Sequence, residues 1–113
     1  MATFSFNDRA FSCPVELCLS TIGSKWAALV LWHLRDETLR YSELRRRLPG
    51  VSHKMLAQRL RELEADGLVQ RTVYPVVPPK TEYNLTEEGQ RLLPALRAMQ
   101  QWGLAYKSSH PVT

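Results

Sequence analysis

Glycine is scarce in this chain, at 5 of 113 residues, and none of the five stands in a phosphate-cradling pattern. Cysteine is scarcer: Cys13 and Cys18 alone cannot build a disulfide framework, and their spacing is not that of a redox C-x-x-C motif. Long apolar runs are missing. The longest, Trp26–Trp32, has seven residues, whereas a membrane span needs about 20. The first residues, MATFSFNDRAFSC, lack a basic start followed by an apolar stretch, so no secretory signal and no membrane are expected, and the cysteines read as reduced thiols in a cytoplasm. His33, His53 and His110 show no close ligand spacing with the cysteines, so no metal is expected. No Ser-His-Asp set or paired-carboxylate cleft can be argued. The reading is therefore a non-enzyme without a cofactor, in one domain spanning 1–113. What is present, 44% apolar and 23% charged residues, suits a globular chain with one modest core.

Charge is unevenly placed. Residues 1–34 and 81–113 are each neutral, while residues 35–80 hold ten Lys/Arg against six Asp/Glu, the whole formal +4. A basic segment between neutral flanks fits a polyanion footprint or a solvated surface with excess charge.

Residues 1–11, with Phe4, Phe6 and Phe11 at no clear period, read as an arm that packs elsewhere. Ser12 is placed to cap a helix over 14–23 with Pro14 in its first turn. Ser24 is placed to cap a second helix, in which Trp26, Leu29, Val30 and Leu34 keep the spacing of a core-facing stripe. Ser42 then opens a short helix carrying Leu44 and Leu48, stopped at Pro49-Gly50. Ser52 opens a longer one with Leu56, Leu60 and Leu63 inward, Met55 half-buried, and Gly67 as its left-handed terminator. The period changes to two over 68–74 and 81–85, separated by the proline-rich PVVPP, which predicts a hairpin. Thr86 caps a last helix over 86–107, which Pro94 kinks or divides, and the tail after 107 frays.

A short helix, a Pro/Gly turn, a longer helix and a hairpin together make a winged helix-turn-helix, in a mainly α fold with a small β-hairpin (α+β). The leucines of the longer helix fix its buried side, so His53, Lys54, Ala57, Gln58 and Arg61 face outward, where base edges can be read. Arg45, Arg46 and Arg47 on the short helix suit phosphate contacts, and Arg71 and Lys80 flank the wing. Ser42 and Ser52, at the two helix starts, complete the candidate DNA-contact set. Taken singly, each has a blander reading: three arginines as a solvated face, His53 as a surface histidine, Gln58 and Arg61 as helix formers. A winged helix can also serve protein contacts alone.

Residues IGSKWAALVLWHL and YSELRRRLPGVSHKMLAQRLRELEADGLVQRTVYPVVPPKTEYNLTEEGQRL resemble the HxlR-type (MarR-like) bacterial transcriptional regulators, over about 11–104. The pieces that carry the likeness are Cys13-Pro14, Lys25-Trp26, Ser52 with Leu56, Leu63-Glu64, Asp66-Gly67-Leu68, Pro79, Tyr83-x-Leu85-Thr86 with Gly89, and Trp102. The resemblance implies a homodimer on double-stranded DNA, joined through the first and last helices. It also implies, for some members, an oxidant- or electrophile-sensing cysteine at the Cys13 position. Leu92, Leu96, Met99 and Trp102 read as the exposed dimerisation stripe, and two recognition helices imply an inverted-repeat operator. At the start of a helix, unpaired backbone N–H groups favour negative charge on the Cys13 sulfur. The bland reading of either cysteine is a small buried apolar residue. The competing function is a thiol-based stress sensor or protein-interaction module that does not read DNA sequence. Nothing in the sequence identifies an effector.

Overall fold

Residues 2–112 are described by a computed structural model of the chain. The phenylalanine-rich start forms a hairpin: β1 (Phe4–Phe6) pairs antiparallel with β2 (Arg9–Phe11) across a turn in which Asn7 and Asp8 both take positive φ. The expectation of an unpatterned arm was therefore wrong. Asn and Asp tolerate the left-handed region, so the Asn7-Asp8 dipeptide was the turn signal in the sequence. Phe11 is buried within the chain itself, at 6% exposure, and stacks on Phe4.

Helix α1 (Pro14–Ile22) starts at Cys13, which has extended backbone and no side-chain cap, so Ser12 does not play the expected part. Helix α2 (Lys25–His33) is capped by Ser24 as expected, its hydroxyl accepting from the Ala27 amide. A short strand, β3 (Leu39–Arg40), leads into α3 (Tyr41–Arg47). Here the start signal is Glu43, whose carboxylate accepts the Arg40 amide at 2.9 Å, and Ser42 is an exposed first-turn residue rather than the cap. Gly50, at φ +93°, closes the turn. Ser52 caps α4 (His53–Ala65), accepting from Met55 N at 3.0 Å, and Gly67 at φ +75° ends it.

Strands β4 (Val69–Tyr74) and β5 (Lys80–Leu85) form the wing, and β3 adds on the other side of β5, giving the order β3-β5-β4. A two-residue strand was too short to show any period. Thr86 caps α5 (Glu87–Arg91), accepting from Gly89 N, and Pro94 sits in the first turn of α6 (Leu93–Ser109), so the last helix is divided as expected. It runs two residues beyond the expected 107, so Ser108 and Ser109 are helical rather than frayed.

The core lies where α2, α3 and α4 meet the wing's base: Leu31, Leu44, Leu56, Leu60 and Leu63 are fully enclosed. Burying a leucine stabilises by about 1.5–3 kcal/mol, and this cluster sets the angle between α3 and α4. The hairpin is tied to the far end of α4. Asn7 Nδ2 and Arg9 Nη2 both donate to Asp66 Oδ1, at 2.8 and 3.1 Å. Asp66 is the C-terminal cap of α4, where the helix dipole disfavours an anion. The Arg9 guanidinium, 5.9 and 5.7 Å from the centres of the Phe6 and Phe11 rings, offsets that.

Candidate nucleic-acid interface

The buried leucines of α4 leave one face outward. His53, Lys54, Gln58 and Arg61 are all exposed, and Ala57 is half-buried beside them. Lys54 and Arg61 form no ion pair among the described residues. Gln58 is not idle: its amide donates to Glu62 Oε1 at 3.1 Å. Glu62 also receives Arg59, a half-buried residue of the same helix.

His53 is the best-connected of the predicted residues. Its Nδ1 lies 3.1 Å from the Tyr41 hydroxyl and its Nε2 meets Arg45 Nη1, while the Tyr41 hydroxyl also reaches the His53 carbonyl at 3.3 Å. A guanidinium only donates, so Nε2 is the acceptor. With Nε2 accepting, Nδ1 is the donor to Tyr41, whose own proton goes to the His53 carbonyl. This network joins α3 to the first turn of α4. It orients Arg45 over the turn, in a concavity shared with Arg46, Gly50 and Val51. Arg46 is exposed and has no ion-pair partner among the described residues.

Three expected contacts are held by acids. Arg47 pairs with Glu37. Arg71 Nε lies 3.3 Å from Glu64 and Lys80 Nζ 2.9 Å from Glu82. Lys80 also lies 4.9 Å from the centre of the Tyr74 ring. Its hydrogen bond and charge hold the Glu82 carboxyl below the usual range. The wing tip is apolar: Val76, Val77 and three prolines fill it, and Val77 is 99% exposed.

Sequence reading missed Arg40 and Tyr41. Arg40, exposed on β3 opposite Glu82, faces the concavity beneath the wing tip together with Lys80. Only the unforeseen β3 pairing brings it there. Tyr41 could not be found without its contact to His53.

The molecule also has a second unusual surface. From Arg97 onward every described residue of α6 is exposed, with Trp102 at 72% and Met99, Leu104 and Tyr106 beside it. Trp102, Tyr106 and His110 stack in turn along this helix. Leu96, by contrast, is buried in the chain's own core and Leu92 is half-buried against it, so two of the four residues expected in the exposed stripe are not there. Val15 and Leu19 of α1 are exposed in the same way.

Comparison with known proteins places this arrangement. The HxlR-like helix-turn-helix family matches residues 21–111. An HTH-type transcriptional regulator of Methanothermobacter thermautotrophicus is 48% identical over 101 residues, 89% of this chain and 77% of that protein. The redox regulator HypR in its reduced form superposes with a TM-score of 0.81 at 46% identity, over 84% of this chain and 94% of that one. The reduced transcriptional regulator YodB of Bacillus subtilis superposes at 0.72 with 38% identity, over 91% of this chain and 100% of that one.

Proposed function

The chain belongs to the HxlR-like helix-turn-helix family, and from that premise we propose that it is a homodimeric transcriptional regulator that binds inverted-repeat DNA in the cytoplasm, not an enzyme. The observation that carries this reading is the outward face of α4. Lys54 and Arg61 stand there without ion-pair partners among the described residues, and Arg45, Arg46 and Arg40 are exposed beside them. In this reading α4 enters the major groove, with His53, Lys54, Gln58 and Arg61 toward base edges. Arg45, Arg46 and Arg40, with Ser42 and Ser52, meet phosphates on either side. Arg71 and Lys80 reach the backbone from the wing once their acidic partners give way. Arg47, turned to Glu37, is the weakest member of the set.

Dimerisation is supported by shape and by exposed surface. The radius of gyration is 15.8 Å, against about 13 Å for a compact domain near this length. The excess comes with the projecting, apolar α6. A second copy laid along α6 and α1 would cover Trp102, Met99, Val15 and Leu19 and set two α4 helices about one DNA turn, or a multiple of it, apart.

Cys13 is the proposed oxidant-responsive thiol. It is free and exposed at the start of α1, the helix assigned to the dimer surface, whereas Cys18 is half-buried beneath the hairpin. Among the similar structures are the redox regulator HypR in its oxidized form and a diamide-treated YodB. The test is DNA binding to the region upstream of the chain's own gene across a salt series, with light scattering for mass. Steep salt dependence and a dimer are expected. A 13 kDa species or no preference over unrelated DNA would reject the reading. Peroxide should change binding by wild type and not by Cys13→Ser.

A further inference from the structure

Arg61, Glu64 and Ala65 of α4, Arg71 of β4, and the tyrosines Tyr41 and Tyr83 line a groove of about 500 Å³ between the outer face of α4 and the wing. In the proposed binding mode, a duplex read by α4 and touched by the wing runs its backbone along this groove. Two arginines suit that task. The carboxylate between them does not, since it carries the same sign as the phosphates.

Glu64 is not there to support the core. Its side chain is 41% exposed, and its ion-pair partner is Arg71, 49% exposed, with Nε 3.3 Å away. The charges converge on one place. Burial pushes the Tyr83 hydroxyl up from its ordinary value, with Glu64 adding to that shift and Arg71 and Arg61 opposing it. Arg61 has no acidic partner among the described residues, so within the groove Glu64 restrains Arg71 and leaves Arg61 free.

We propose that Glu64 is a positioning residue that holds Arg71 away from the DNA backbone in the free protein, so that a phosphate must displace its carboxylate before Arg71 can bind. This deepens the DNA-binding reading and rests on it. The exchange is a competition of anions for one guanidinium. Phosphate and carboxylate both accept the bidentate fork, so displacement costs little more than the pair itself. The consequence is a damped affinity for any duplex. Sequences that lock α4 into register supply the energy to break the pair, while unrelated sequences do so less often. Glu64 thereby widens the gap between specific and non-specific binding.

The test uses the full chain and a labelled mixed-sequence duplex about three helical turns long, titrated by fluorescence anisotropy across a salt series. An exposed pair of this kind is worth about a 1.4- to 5-fold factor, so a dimer of Glu64→Gln should bind about 2- to 25-fold tighter than wild type. One extra phosphate per protomer should also steepen the salt dependence by up to about 1.8 in log–log slope. In an Arg71→Ala background the gain from Glu64→Gln should vanish. Glu88→Gln, which releases Arg91 on α5, outside the groove, should change nothing. Thermal melts confirm that each variant is folded, and Glu64→Ala serves as a second neutral variant. A gain that persists without Arg71 would mean that Glu64 merely repels DNA, and an unchanged salt slope would mean that no phosphate is gained; either overturns the proposal. A wild type with no duplex affinity at low salt overturns the DNA-binding reading itself. The two failures are therefore distinct.

Discussion

Replacing Gly89 by alanine sets two effects against each other. Gly89 lies in α5, and helix propensity alone favours alanine there by about 0.8–1.0 kcal/mol. A Cβ at this position, however, would stand 2.2 Å from the Leu68 carbonyl oxygen and 3.2 Å from its carbon. The obstacle is backbone, so no side chain can swing aside. Moving α5 away until the contact reaches about 3.0 Å means a shift of about 0.8 Å. That shift pulls on the two bonds that seat α5 on the start of the wing: Thr86 N to Leu68 O at 3.1 Å, and Thr86 Oγ1 to Gly67 O at 2.6 Å. Weakening them costs about 1 kcal/mol each, and overpacking costs about 1–3 kcal/mol. After the propensity gain, the net loss is about 2–4 kcal/mol. At this chain length that is a fall in Tm of about 4 °C per kcal/mol, measured by calorimetry at fixed protein concentration so that dimerisation does not confound it. A Gly89→Ala protein with an equal or higher Tm would refute the argument that backbone approach, rather than propensity, decides this position.

Other expectations follow from the same geometry. Asp66→Ala removes the acceptor of both Asn7 and Arg9. It should cost about 1–2 kcal/mol, discounted for the half-exposed arginine, and hydrogen exchange should speed up in residues 4–11; unchanged protection there would show that the hairpin does not depend on this tie. His33 is held below its ordinary value of 6.5 by burial, and also by Arg47 and Arg35. Its folded pKa is depressed, so the unfolded chain binds the extra proton first and stability should fall as pH drops below about 6.5. His33→Gln should lose less stability than wild type between about pH 7.5 and 5.5 in urea titrations, and parallel curves would remove His33 as a cause. Trp102→Arg places a charge in the exposed stripe of α6 and should shift the protein toward a monomer in light scattering, with weaker DNA binding; an unchanged mass would move the interface elsewhere.

The α2–α3–α4 frame was legible because its signals are local. Leucines at helical spacing, Ser24, Ser52 and Thr86 as caps, and Gly50 and Gly67 at turn ends each act over a few residues, and each falls where expected. The same local rules placed the exposed face of α4, because burying Leu56, Leu60 and Leu63 leaves a helix only one other side. Local rules failed where two choices were equally open. Ser12 and Ser42 are both competent caps, yet Cys13 and Arg40 hold those positions, the second because Glu43 reaches back to the Arg40 amide. Pairings distant in sequence belong to the tertiary structure alone. No spacing in the chain states that Asp66 receives Arg9 and Asn7, 57 and 59 residues away, that β3 brings Arg40 beneath the wing, or that Leu96 turns into the core while Trp102 stays outside. Glu64 and Arg71 can be read from the sequence as an acid and a base on two elements. Only the turn at Gly67, which folds β4 back along α4, sets them on one groove wall and makes the acid a rival of the phosphate. Charge type and periodicity are properties of single segments. Which charges face each other depends on how the segments close on the core.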